Sequence, residues 1–422
     1  MASHTLRHVD LRRNIPREIP RICLLAETFH PVLGGSENHA RLLASRLNAM
    51  GMSTFVLTRR ADRSSPLAEI VDGVSVYRYS PAGMGRWGKF AGLPFMHKEL
   101  ETRRDDYDVL YVCALRVTGA SAVRIAHEQR KICVLRAETN GEMSGDYASA
   151  YRKLPIHEKI YFKHWLKRRN ALLKQADAYI GITELVTDEF ENCGMDPKRI
   201  FHIPNGIDTD LFRPANTREK INLREKLHLP ITDTLVLFTG RLIRGKGVEY
   251  LLDAWQRIAS KRKGIHLVLV GSGSGEQANC EDELRSFVIK HGLQESVTFA
   301  GWAEKVYEYL QACDLFVFPT EYEGFGLSLV EAMACRLPVI ASNVGGIPKI
   351  IHHPEDGILV EPKNPDVLER QMIRVLDDHE LAESLAANAH RTANEHYSID
   401  IVAKKHFELF SYLHSSKLAL GE

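Results

Sequence analysis

No apolar run in this sequence approaches the ~18–20 residues that a bilayer-spanning helix needs. The start, MASHTLRHVDLRRNIPREIPR, is polar and basic and lacks the apolar h-region of a secretory signal. Residues 1–20 therefore read as an N-terminal extension. Cysteine is scarce: seven residues, at 23, 113, 133, 193, 280, 313 and 335, with no CxxC pair. That scatter fits neither a zinc site nor a disulfide scaffold. Several of these thiols fall inside apolar strand patterns, as buried reduced thiols of a cytoplasmic protein do. An excess of one charge is also missing. Lys plus Arg number 55 and Asp plus Glu 54, which gives no reason to expect a nucleic-acid partner. Low-complexity tracts and repeats at the 20–50-residue scale are absent too.

What is present is an alternation of short apolar runs with helical patterns. The 422 residues suffice for two or three domains. Strands are expected at Arg21–Ala26, Ser53–Thr58, Val74–Tyr79, Asp108–Val112, Ile132–Arg136 and Ala178–Gly181, with a weaker one at Arg199–Ile203. Many are apolar throughout rather than alternating, which suits a parallel sheet covered on both faces. A helix over Asn38–Met50 puts Ala40, Leu43, Leu47 and Met50 on one face, and Gly51 ends it. A turn-rich break follows at Pro204–Pro214. The alternation then restarts, with strands at Thr234–Thr239, His266–Val270, Ser296–Ala300, Leu315–Phe318, Pro338–Ala341 and Gly357–Val360. Helices are expected at Val248–Ala259, at Leu327–Cys335 and from about Ser398. The fold class is α/β, with two doubly wound domains at 21–205 and 206–397 and a last helix at 398–422. Two such domains facing each other leave a cleft, and ligands bind beyond the carboxyl ends of the strands.

Four loops at those ends carry chemistry. Gly240-Arg241-Leu242-Ile243-Arg244-Gly245-Lys246-Gly247 joins fixed cations to glycines, a combination that can neutralise a diphosphate. It is not a P-loop, because Gly247 stands where that motif needs Ser or Thr. Glu321-Tyr322-Glu323-Gly324-Phe325-Gly326-Leu327-Ser328-Leu329-Val330-Glu331 places backbone amides at a helix N-terminus and a carboxylate about one turn inside it. Such a carboxylate can accept two hydrogen bonds from a ribose diol, although in a first turn it can equally be a dipole partner. Gly34-Gly35-Ser36-Glu37 opens the first helix, and Val344-Gly345-Gly346-Ile347-Pro348 follows the strand PVIAS. Each of these two could instead be a tight strand-to-helix turn.

GRLIRGKG, EYEGFGLSLVE and SNVGGIPKI in this order, with HPVLGGSENH and IPNGIDTDLF, resemble the retaining GT-B glycosyltransferases of the family 4 type. The resemblance spans roughly residues 21–400. It implies two Rossmann-like domains facing across a cleft, with the last helix crossing back to the N-terminal domain. It implies a hexosyltransferase that takes a nucleotide diphosphate sugar, most often a UDP-sugar, and a hydroxyl acceptor: a glycan, a lipid-linked glycan or a small molecule. Carried over by position, Arg241 and Lys246 hold the diphosphate and Glu323 contacts the donor sugar. The Gly324-Phe325-Gly326 backbone and Gly345 assist, Glu331 holds the ribose hydroxyls, and Gly34 and Gly35 approach from the N-terminal domain. Front-face attack with retention is implied, with the departing phosphate oxygen taking the acceptor's proton. Many relatives carry a His after the fifth strand. Here the stretch reads VLRAETNGEMSGD, with no His; Glu138, Thr139 and Asn140 are the polar replacements, in what reads as a mobile acceptor loop.

No metal or other cofactor is expected. Asp208-Thr209-Asp210 matches D-x-D but lies in the break, where Asp is a turn residue. Gly271-Ser272-Gly273-Ser274-Gly275 is GxGxG, not the GxGxxG of a dinucleotide oxidoreductase. A sugar-nucleotide epimerase and a catalytically silent subunit of a glycan-assembly complex are the remaining alternatives. Finally, Tyr151–Lys174 holds eight Lys or Arg against one acid, Glu158, interleaved with aromatic and aliphatic residues. This is the pattern of an interfacial helix on anionic lipid, here the cytoplasmic face of a membrane. A helix that only packs on the sheet, or one that attracts an acidic acceptor, gives the same pattern.

Overall fold

The computed structural model describes residues 18–32, 34–83, 90–113, 115–145, 156–276 and 278–420, with the backbone alone at 156–160. These fall into two compact units. One holds the described residues up to Gly206 and those from Ile399 onward; the other is Ile207–Ser398.

The first unit is built on eight strands. They are β1 (Ile22–Ala26), β2 (Thr54–Arg59), β3 (Ala68–Val71), β4 (Val74–Tyr79), β5 (Val109–Cys113), β6 (Ile132–Ala137), β7 (Ala178–Gly181) and β8 (Ile200–His202). Their order in the sheet is β3-β4-β2-β1-β5-β6-β7-β8. All neighbours pair in parallel except β3, which runs antiparallel to β4 at one edge. β1 is buried along its whole length, as its unbroken apolar sequence requires of a strand covered on both faces. The chain leaves β1 toward β2 on one side and later returns on the other side as β5. The crevice between the ends of β1 and β5 is therefore this sheet's switch point.

Helix α1 (Gly35–Ala49) lays Ala40, Leu43, Ala44 and Leu47 on the sheet. Helices α2 (Leu93–Thr102), α3 (Ala120–Glu128), α4 (Ile156–Leu173) and α5 (Glu184–Asn192) complete the covering. The last helix, the thirteenth in chain order (Ile399–Leu420), belongs to this unit, with Val402, Leu409 and Phe410 inside the same core. Burying each such side chain stabilises by roughly 1.5–3 kcal/mol. Tyr111 packs its ring 5.2 Å from Phe410 and bonds the His406 ring at 3.1 Å. Burial pushes His406 down to about 3, so it stays neutral.

The second unit has six parallel strands. They are β9 (Thr234–Thr239), β10 (Ile265–Val270), β11 (Val297–Gly301), β12 (Leu315–Phe318), β13 (Val339–Ser342) and β14 (Ile358–Val360). Their order is β11-β10-β9-β12-β13-β14. Its switch point lies between β9 and β12. Helix α7 (Val248–Ala259), which follows α6 (Thr217–Lys226), buries Val248, Leu251, Leu252, Trp255 and Ile258, a spacing that keeps one stripe on the sheet. Among the described residues, no helix is long and apolar enough to cross a membrane. All seven cysteines are free thiols, six of them buried.

Candidate functional site

The second unit's switch point gathers the loops that the sequence singles out. The loop 240–247 leaves β9 and the loop 319–326 leaves its neighbour β12. They are tied together by the Glu321 N–H donating to the Gly245 carbonyl (2.9 Å) and by the Thr320 hydroxyl donating to the same oxygen (3.2 Å). Gly247 has φ +72°, and a Cβ there would meet the Pro319 carbonyl oxygen at 1.9 Å, so only glycine lets the two loops close. The loop after β13 nests the same way. A Cβ on Gly345 would lie 1.9 Å from the Glu323 carbonyl oxygen, and the Gly346 N–H donates to that oxygen at 3.2 Å.

This frame brings Lys246 and Glu323 together. The ammonium lies 2.8 Å from Oε2 of Glu323, both side chains are 18% exposed, and the cation sits 5.7 Å above the Phe318 ring. The other carboxylate oxygen accepts the Gly324 N–H at 3.1 Å. Gly326, at φ +99°, caps α10 (Leu327–Ala334), which is the tenth helix after α8 (Glu281–Lys290) and α9 (Val306–Ala312). Glu331 stands in its second turn, partly buried, and burial pushes its carboxyl up to about 7. Phe325 is buried with its ring 5.7 Å from Tyr397, so only its backbone can face a ligand. Arg241 is exposed and pairs with Glu276 at 3.1 Å rather than joining the Lys246–Glu323 pair. Glu321 turns to Lys363 (2.7 Å) and the Tyr250 hydroxyl (3.1 Å), a structural contact.

Two further motifs have structural roles. Asp208 accepts the N–H groups of Asp210 (3.1 Å) and Leu211 (3.2 Å), which makes the D-x-D stretch a turn. In the GSGSG loop, Glu281 accepts the Gly273 N–H at 2.9 Å, and a Cβ on Gly271 would overlap the Gly240 carbonyl. The loop buttresses residues 240–242 and leaves no dinucleotide fingerprint.

In the first unit, the switch point between β1 and β5 opens into a cavity of about 270 Å³. Glu27, Glu37, Arg116, Glu138 and Glu142 line it. Gly34 caps α1 next to Glu37; a Cβ on Gly34 would lie 2.2 Å from the Glu37 carboxylate. Gly35 is the first residue of α1. Glu138 accepts from the buried Arg136 guanidinium at 3.1 Å, and Arg136 also bonds Asn205. Thr139 accepts from Arg116 at 3.2 Å, whereas Asn140 is exposed and does not line the cavity. The described part of the glycine-rich stretch, through Gly145, is tied down rather than loose; Asp146 lies outside the described residues. Glu189 takes the N–H groups of Gly141 (2.7 Å), Met143 (3.0 Å) and Ser144 (2.8 Å), and Arg169 donates to the Glu142 carbonyl at 2.6 Å. His39 accepts the Gly206 N–H at 3.0 Å and so joins HPVLGGSENH to IPNGIDTDLF. Burial, with Arg136 and His406 nearby, keeps His39 well below its ordinary pKa.

Residues 33–211 match the family described as Glycosyltransferase Family 4, and residues 219–392 match Glycosyl transferases group 1. An uncharacterized glycosyltransferase of Methanocaldococcus jannaschii is 30% identical over 397 residues, which cover 91% of this chain and 96% of the relative. The chain belongs to glycosyltransferase family 4. A D-inositol 3-phosphate glycosyltransferase of Acidothermus cellulolyticus is also 30% identical, over 82% of this chain and 78% of that protein. Among solved structures, sucrose-phosphate synthase from Thermosynechococcus elongatus matches this glycosyltransferase with a TM-score of 0.75 at 23% identity, covering 95% and 100% of the two chains. Anabaena HepE, solved with UDP, matches at 0.74 and 21%, covering 93% and 99%. Both likenesses show the GT-B fold.

Several residues of these sites escape sequence reasoning. Glu37 lies three positions after Gly34, and nothing in the GGSE motif marks its carboxylate as a site group. Glu27, Arg116 and Glu142 have no local signal, because parallel strands bring them together from distant segments. The basic segment is only partly described: 151–155 lie outside the described residues. Within it Arg169 is buried under the 138–145 loop and is not a surface cation.

Proposed function

We propose that the chain transfers a hexosyl group from a nucleotide diphosphate sugar, a UDP-sugar foremost, to a hydroxyl acceptor with retention and without a metal. The observation that carries this reading is the Lys246–Glu323 contact at the second unit's switch point, beside the N-terminus of α10. HepE's complexes with UDP and with UDP-glucose support the choice of donor. Lys246 and Arg241 take the diphosphate. Arg241 reaches it by leaving Glu276, which its exposure permits. Glu323, released from Lys246, accepts from donor-sugar hydroxyls, and the amides from Gly324 to Gly326 and at Gly345 face sugar or phosphate oxygens. Glu331 accepts the ribose hydroxyls. Gly34 and Gly35 approach from the first unit, where Glu138, Thr139 and Asn140 stand on the acceptor side.

Breaking the bond to the diphosphate builds negative charge on phosphate and oxocarbenium character on the sugar. Fixed cations at the phosphate lower that barrier because they need no reorganisation as the charge develops. The departing oxygen takes the acceptor's proton in a front-face attack. In the test, UDP, GDP, ADP and their sugars are screened by thermal shift in excess EDTA. A ligand at 100 times its dissociation constant stabilises by about 2.7 kcal/mol. UDP and a UDP-sugar are expected to respond, and product NMR is expected to show the donor's anomeric configuration kept. No response to any of them, strict metal dependence, or inversion counts against the corresponding part of the reading. Isomerised donor formed without acceptor would instead indicate an epimerase.

A peripheral contact with anionic membrane rests on α4. Lys163, Lys167, Arg168 and Lys174 are exposed, and no ion pair engages them among the described residues. Tyr161 beside them is 75% exposed. Each cation near an anionic surface contributes about 1 kcal/mol. The protein is expected to sediment with anionic vesicles at low salt, not with neutral ones, and to lose them in high salt. Charge reversal at Lys163, Lys167 and Arg168, with Arg169 left in place, should weaken sedimentation. Protein that stays in the supernatant at low salt ends this proposal.

A further inference from the structure

The cavity between the ends of β1 and β5 is more specific than an acceptor pocket in general. Four of its ten lining residues are glutamates, whose ionised carboxylates only accept hydrogen bonds. Glu27 follows β1, Glu37 comes from the first turn of α1, and Glu138 and Glu142 follow β6. The Thr28 and Ser36 residues add hydroxyls, and Thr28 donates to Glu37. The one cationic lining residue is Arg116, and it is already engaged: it donates to Thr139 at 3.2 Å and lies 3.8 Å from the Glu142 carboxylate. Arg136 lies behind Glu138 and bonds Glu138 and Asn205, away from the lining. Glu142 is 2% exposed and takes the Leu115 N–H at 3.2 Å and the Glu138 N–H at 3.3 Å. Glu142 is thus held by backbone N–H groups, Glu37 by the Thr28 hydroxyl and Glu138 by the Arg136 guanidinium.

A carboxylate-lined space complements hydroxyl and ammonium donors. A phosphate has no proton to offer such a lining at neutral pH, and like charges close together repel. The location is independent of this chemistry, because it is the switch point at which an open parallel sheet receives its ligand.

We propose that this cavity is an acceptor subsite for a non-anionic sugar or cyclitol ring, preferring an amino-substituted ring and excluding a phosphorylated one. The proposal rests on the glycosyltransferase reading above and adds the acceptor's chemical class to it. Glu37 and Glu138 read the ring's donors, and Arg136 is a positioning residue that keeps the Glu138 carboxylate facing the cavity.

The test uses the full chain with UDP present and three probes: glucose, glucosamine, which differs from it only at C2, and glucose 6-phosphate, which differs from it only at C6. Dissociation constants are read by ligand-observed NMR titration. Glucosamine is expected to bind at least about tenfold tighter than glucose 6-phosphate, with glucose between them. In Glu37→Gln and Glu138→Gln that preference should shrink to about twofold or less, while the UDP thermal shift is unchanged. That unchanged shift shows that the variants are folded and that the second unit's site is intact. Glucose 6-phosphate binding as tightly as glucosamine, a preference unaffected by both substitutions, or binding of none of the probes overturns the subsite. A missing UDP shift in the unsubstituted protein would strike the glycosyltransferase reading itself, so the two failures are distinguishable.

Discussion

Lys246→Ala is expected to lower kcat by about two to three orders of magnitude, the loss typical of removing one preorganised charge from a developing oxyanion. In the free protein this ammonium is held by Glu323 at 2.8 Å. In the proposed reaction the diphosphate displaces Glu323 from Lys246, and the freed carboxylate becomes available to the donor sugar. The effect should fall on kcat more than on donor KM, since the charge at the leaving oxygen peaks in the transition state. Stability should fall by only about 1 kcal/mol, because Glu323 keeps the Gly324 N–H and remains partly hydrated. The exchange has a second consequence. Glu323→Gln loosens the internal ion pair, so UDP should bind more tightly to that variant while transfer slows. Steady-state kinetics and UDP titration check both points. A Lys246→Ala enzyme with unchanged kcat removes Lys246 from the chemistry.

The second large effect concerns Glu331, whose carboxyl burial raises to about 7. Ribose hydroxyls donate, so the ionised form is the one that binds. Below about pH 7 the protonated fraction grows, and donor KM is expected to rise by up to about tenfold per pH unit. In Glu331→Gln the KM should be raised by roughly 10–100-fold, the loss of a hydrogen bond to a charged acceptor, with kcat little changed and the acid-side dependence gone. Stability moves in the opposite direction to affinity. A carboxyl whose folded pKa lies above its unfolded value binds more protons when folded. Its contribution is complete below about pH 4.5 and is lost as pH rises through about 7, for up to about 3 kcal/mol. The free protein should therefore lose Tm between pH 5 and 8, and Glu331→Gln should lose less. A wild-type Tm and donor KM that are both flat over this range would contradict the assignment.

Much of the architecture is legible in the sequence because buried parallel strands are nearly continuous apolar runs. Thr234–Thr239 and Leu315–Phe318 fall where the apolar runs end, and Val248–Ala259 follows its apolar stripe. The strand that sequence reading omits, Ala68–Val71, shows the limit. It is a four-residue edge strand, AEIV, too short to show a period and with no residue fully buried, and its clearest local mark is the Asp72-Gly73 turn, where both residues have positive φ. The glycines at 247 and 345 were visible as glycines; that each faces a carbonyl of a neighbouring loop was not.

By itself the sequence determined the class of the fold and the family, because those depend on short-range periodicity and on motifs a few residues long. Only the tertiary structure decided that Arg241 pairs with Glu276, that the Phe325 ring is buried and that the 138–145 loop is anchored through Glu189 and Arg169. It alone showed that Glu27, Glu37, Glu138 and Glu142 share one cavity. Parallel strands place the ends of segments tens of residues apart side by side, so no local spacing records the contact. What a carboxylate or guanidinium can do depends on which neighbour it already holds.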